Sequence, residues 1–77
     1  MLRLKNIRIN DAFAEADYYP ETSEVPGHIV VNLSTEEVET LEEAKGYSDM
    51  HPAHALVALL RMAKNKDEST EKTVRWY

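Results

Sequence analysis

Two histidines and an aspartate stand close together in "GYSDMHPAHALVALLRMAKN", Gly46 to Asn65. Asp49, His51 and His54 are residue types that bind divalent metals or move protons. A histidine pair on one helical turn can share an ion, with the carboxylate as a third ligand. The zinc helix pattern, however, spaces its histidines four apart with a glutamate after the first. Here they are three apart, and proline follows the first. The same residues have a plainer use. Pro52 suits a first helical turn, where its missing N–H costs nothing. Ser48, Asp49 or His51 would then be the cap. A histidine at that end of a helix dipole loses proton affinity as a structural effect, without function. The segment therefore reads as a helix start, with no metal and no cofactor.

Other chemistries lack their parts. The chain has no cysteine, so it forms no disulfide, thiolate metal site or cysteine nucleophile. Its only glycines are Gly27 and Gly46, which leaves no glycine-rich loop to cradle phosphate. No serine lies in a nucleophile-elbow context. Acids are plentiful, but acid–base catalysis needs them in a dry cleft, and 77 residues enclose little volume. The expectation is a protein that is not an enzyme.

The remaining candidates are surfaces. "EADYYPE" (Glu15–Glu21) offers Tyr19 as an interface residue, a rigid apolar body with a polar tip, while Tyr18 is expected in the core. Arg3, Lys5, Arg8, Lys72 and Arg75 would converge if the first and last strands were neighbours. With Trp76 or Tyr77 beside them they could stack a nucleic-acid base. Charge argues against that use. Residues 11–43 hold ten acids and no Lys or Arg, and the net charge is -5. Such a middle repels phosphate backbones. Cross-strand pairing of these cations with the acidic second strand is preferred, so nucleic acid is not the expected partner.

The elements that must position these residues follow from periodicity. "LRLKNIRI" alternates, but its apolar parity switches between Leu4 and Ile7. A strand does that only through a bulge or break near Lys5–Asn6. Asn10–Asp11 suits a hairpin turn. "AFAEADYY" then alternates again, with Ala12, Ala14, Ala16 and Tyr18 on one face. "PETSEVPG" reads as a loop and "HIVVNL" as a strand, with His28, Val30 and Asn32 on one face. Residues 34–46 admit two readings. Ser34 with Glu37, followed by Val38, Leu41 and Ala44, fits a capped helix ending at Gly46. The same stretch fits a turn at Ser34–Glu37 and an edge strand Val38–Glu42 that faces its acids outward. The hairpin is preferred because it continues a meander through a short connection. On the helix Pro52–Lys64, Leu56, Leu59, Leu60, Met62 and Ala63 fill one broad arc. His54, Arg61 and Asn65 form a narrow polar one, flanked by Val57 and Ala58. A surface helix normally shows a wider polar face. "KTVRWY" closes the chain as a docked strand.

"EADYYPE", "GHIVVNL" and "KTVRWY" resemble stretches of small uncharacterised bacterial and phage-type proteins. The resemblance implies an α+β domain, in which a meander, one helix and a returning strand share a sheet, and a cytoplasmic setting. It carries no activity and no site residue.

These readings combine into one expectation: one α+β domain over residues 1–77, an antiparallel sheet of four to five strands with one helix across one face. The expected core is Leu4, Ile7, Ile9, Ala14, Ala16, Ile29, Val31, Leu56, Leu59, Leu60, Ala63, Val74 and Trp76. A chain this short buries only about 60% of its unfolded surface, so either the sheet wraps the nearly all-round apolar helix or a second subunit covers part of it, and the second reading is preferred. The expected function is a cytoplasmic protein-interaction module that forms a homodimer, with Tyr19, His54, Val57 and Arg61 as contact residues. Its other protein partners are unknown. The alternative is nucleic-acid binding through the basic end face. The longest uncharged apolar run, Ala55 to Leu60, is far short of the ~20 residues of a membrane span, and no signal peptide is read at the N-terminus.

Overall fold

The computed structural model describes residues 2–20, 24–43 and 50–75. Six elements follow in order: β1 (Leu2–Ile9), β2 (Phe13–Pro20), β3 (Gly27–Asn32), β4 (Glu37–Glu42), α1 (Met50–Lys64) and β5 (Lys72–Val74). The strands form one antiparallel sheet in the order β4-β3-β2-β1-β5. α1 lies across one face and touches all five strands, β2 most extensively. The fold is therefore α+β, as expected, and no helix among the described residues is long and apolar enough to cross a membrane.

Side-chain polarity sets which face of the sheet the helix covers. Leu2 and Leu4 of β1, Ala14, Ala16 and Tyr18 of β2, and Ile29 and Val31 of β3 are all buried. Their register partners place them on one shared face, the inner face. Ala14 and Ala16 carry no atoms beyond Cβ, so the helix approaches closely there. Ala55, Ala58, Leu59 and Met62 meet the sheet. This corrects the expected core. Leu56, Leu60, Ala63, Ile9 and Val74 are only partly buried, while Leu2, Tyr18, Ala55, Ala58 and Met62 are buried. Small residues sit at the point of closest approach, and the larger leucines flank it. Trp76 lies outside the described residues.

Local chemistry makes the turns. Asn10 Oδ1 accepts from the N–H groups of Ala12 and Phe13 at 2.8 and 2.7 Å, closing the β1–β2 hairpin. Asn32 Oδ1 accepts from Ser34 and Thr35, and the Glu36 N–H reaches the Asn32 carbonyl at 2.8 Å. The hairpin reading of residues 34–42 holds, while Ala44–Gly46 lie outside the described residues. β4 is exposed along nearly its whole length. α1 begins at Met50, so His51 lies within the helix rather than at its cap. The helix ends with the Lys66 N–H on the Ala63 carbonyl and the Asp67 N–H on the Met62 carbonyl, and Lys66 is left-handed at φ 54°. This double bond pattern usually has glycine at that position.

Candidate functional site

The helix leaves the outer face of the sheet open, and β1 supplies three cations to it. A regular strand would turn Arg8 inward and Ile7 outward. Asn6 adopts φ 54° and the register shifts between Lys5 and Arg8. Ile7 therefore stays in the core and Arg8 joins Arg3 and Lys5 on the outer face. The Ile7 N–H is held at 3.0 Å by the Thr70 carbonyl of the segment leading into β5. Arg3 and Lys5 each lie 5.4 Å from the centre of the Tyr19 ring, a cation–π distance. Arg8 faces Glu15 at 3.8 Å, and Lys5 stands opposite Asp17. Lys72 does not join them. It pairs with Leu4 in register and is drawn to Asp67 at 3.1 Å. Arg75 follows β5 and is exposed. Trp76 and Tyr77 lie outside the described residues. Cross-strand charge pairing is thus seen for Arg8, whereas the Lys5 ammonium lies over the Tyr19 ring and the Asp17 oxygens are taken by Asn6 and His28.

At the centre of this face His28 of β3 is gripped between two carboxylates of β2. Its Nδ1 is 2.7 Å from Asp17 Oδ1, and its Nε2 is 3.4 Å from Glu15 Oε2. Asn6 donates to the other Asp17 oxygen at 2.8 Å. The hydrogen bond to Asp17 raises the His28 pKa above its ordinary value; burial opposes the rise, and the charges of Asp17 and Glu15 add to it. Burial also works against the Asp17 carboxylate. The bonds from Asn6 and His28 and the charges of His28 and Arg8 outweigh it and lower its pKa. Both ring nitrogens are occupied, from opposite sides of the imidazole, so the three side chains do not converge on a point where an ion could sit. Among the described residues no group of three or more such ligands is placed to hold a metal. Sequence reading placed His28 on the right face but did not bring it to Glu15 and Asp17. The signal was two acids two apart on a strand, and only the β2–β3 register completes it.

The helix carries the other expected residues. His51 is buried, His54 is half-buried, and Asp49 lies outside the described residues. Ala53, Val57, Arg61 and Lys64 form the solvent-facing arc. Val57 is 50% exposed and Leu56 and Leu60 flank it half-buried; Val38 on the inner side of β4 is 38% exposed. The expected contact set therefore divides. His54, Val57 and Arg61 share the helix, whereas Tyr19 stands on the opposite face of the sheet. A groove of about 810 Å³ lies between the β1–β2 turn and the end of α1, along Ile7, Ile9, Leu33, Met62 and Ala63. Comparison of the chain with protein-family models, curated proteins and solved structures finds no match.

Proposed function

We propose that this chain is a small protein-interaction module that associates with a second copy of itself through the solvent-facing crest of α1. The observation that supports this is Val57, half exposed at the centre of the crest. Ala53 lies one turn before it, and Leu56 and Leu60 lie beside it. Ala53 is small enough to let a second helix approach, and burying the exposed half of Val57 in each of two copies contributes about 2 kcal/mol. Pairing through the β4 edge is less favourable. An antiparallel β4–β4 match that set Val38 against Leu41 would also set Glu37 against Glu42, and like charges directly opposite repel.

Light scattering across a concentration series tests the reading. A dimer is expected, and Val57→Glu should raise its dissociation constant at least about thirtyfold, the equivalent of the lost burial. A monomer at high concentration would overturn self-association. Nucleic-acid binding remains the alternative, because the β1 bulge sets Arg3, Lys5 and Arg8 on one face. Glu15 and Asp17 opposite them lower the positive potential of that face, so self-association is the preferred reading.

A further inference from the structure

We infer that the outer edge of β4 is a docking site for an extended segment of a partner protein in which basic and apolar residues alternate. This surface is distinct from the crest of α1, and the inference does not rest on self-association.

β4 ends the sheet, and among the described residues no strand pairs with its outer edge. Its side chains divide cleanly. Glu37 opposes Asn32, Thr40 opposes Val30 and Glu42 opposes His28, all on the outer face. Glu39, at the register shift, accepts from Asn32 at 3.5 Å and so lies on that side too. Val38 opposes Val31 and Leu41 opposes Ile29, on the inner face with the core. The edge thus offers backbone hydrogen bonds, a row of glutamates on one side and an apolar row on the other. On the apolar side the helix stops short. α1 touches β4 and β5 least of the five strands, and an open depression at the β3–β4 turn is lined by Leu33, Glu36 and Leu60 together with Arg61 and Lys64 of α1.

A strand added to an exposed edge gains affinity from main-chain bonds and specificity from alternate side chains. Its outer residues would stand beside Glu37, Glu39 and Glu42, and its inner residues beside Val38 and Leu41. Charge complementarity selects cations for the first set and apolar groups for the second. An acidic strand, including a second copy of β4, is repelled by the same glutamates, and a neutral one gains nothing from them.

The test titrates the whole isotope-labelled chain with the synthetic peptide Lys-Val-Lys-Val-Lys-Val-Lys and follows the amide resonances. The expected result is saturable shifts concentrated on Glu37–Glu42. A peptide of the same composition in block order should bind about tenfold more weakly, as should the Glu37→Lys, Glu39→Lys double variant with the alternating peptide. The unperturbed spectrum of that variant away from β4 reports that it folds. No shift on β4, equal binding of the block-order peptide, or shifts confined to the crest of α1 would each overturn the inference. Only the light-scattering result bears on self-association, so the two readings fail separately.

Discussion

Replacing Gly27 with alanine should remove a large share of the domain's stability. Gly27 opens β3 directly opposite Tyr18, and the phenol ring occupies the space a side chain would need. A Cβ built there would lie 2.3 Å from Tyr18 Cζ, 2.4 Å from Tyr18 Cε1 and 2.6 Å from the Glu42 carbonyl oxygen. The ring cannot simply step aside, because Tyr18 is 1% exposed and belongs to the packed core. Moving the backbone instead would separate β3 from β2 or β4. Overpacking of this kind costs about 1–3 kcal/mol. Expelling the ring would cost more, about 4–6 kcal/mol for the ~150–250 Å² that a tyrosine buries. Alanine stiffens the unfolded chain and returns about 0.4–1 kcal/mol. The collision with buried ring and backbone atoms puts the cost at the top of the overpacking range, so the net expectation is a loss of about 2–2.6 kcal/mol, against a total of roughly 4–12 kcal/mol for a chain of this length. Urea unfolding followed by circular dichroism measures it, with the midpoint lowered and the slope unchanged. The reasoning also requires that the cost shrink in a Tyr18→Leu background, where the offending ring atoms are gone. A loss below about 0.5 kcal/mol, or the same loss in both backgrounds, would refute it.

Three further outcomes follow from local geometry. The His28 grip should make stability depend on pH. The folded pKa of His28 lies above its ordinary 6.5, so its contribution is fully present below that value and fades as pH rises through the folded pKa. Asp17 lies below its ordinary 3.8, so its contribution is present above that value and fades as pH falls through the folded pKa. His28→Gln should flatten the upper limb of a stability–pH curve and also weaken the lower one, because His28 supplies part of what lowers the Asp17 pKa; an unchanged upper limb would contradict the assignment. Lys66→Gly should stabilise the domain by about 0.5–1 kcal/mol, because Lys66 holds the left-handed position after α1 that glycine adopts without strain, and a thermal melt of the pair reads it. Asn6→Val should cost about 2 kcal/mol, since a β-branched residue resists the positive φ of the bulge and the bond to Asp17 is lost; a neutral result in urea unfolding would show that the bulge is not held as described.

Much of the fold was legible because alternation and turn chemistry act locally. The parity switch between Leu4 and Ile7 required a bulge, and the bulge is there. Asn10 announced its hairpin, and Pro52 announced the beginning of α1. The helix phase was less legible. Leu56 and Leu60 are the larger side chains and drew the expected contact face toward themselves, whereas the alanine row of β2 allows Ala55 and Ala58 to sit closest. The His28 grip was hidden because its members come from two strands, and only their register makes them neighbours.

Residues 34–42 show the division between sequence and tertiary structure most clearly. Val38 and Leu41 are three apart, the spacing of one helix face, and local propensity there favours a helix. They share a sheet face instead, because the register shifts between Val30 and Val31 and admits one extra residue. The sequence alone determined the alternating strands, the turn residues, the charge segregation and the position of α1, since each depends on a few neighbouring residues. Tertiary structure decided that β4 is a strand, that the Ile7 N–H at the bulge is closed by the Thr70 carbonyl, and that Tyr18 folds over Gly27. Each of these depends on hydrogen bonds or packing between segments far apart in the chain, and no local preference encodes them.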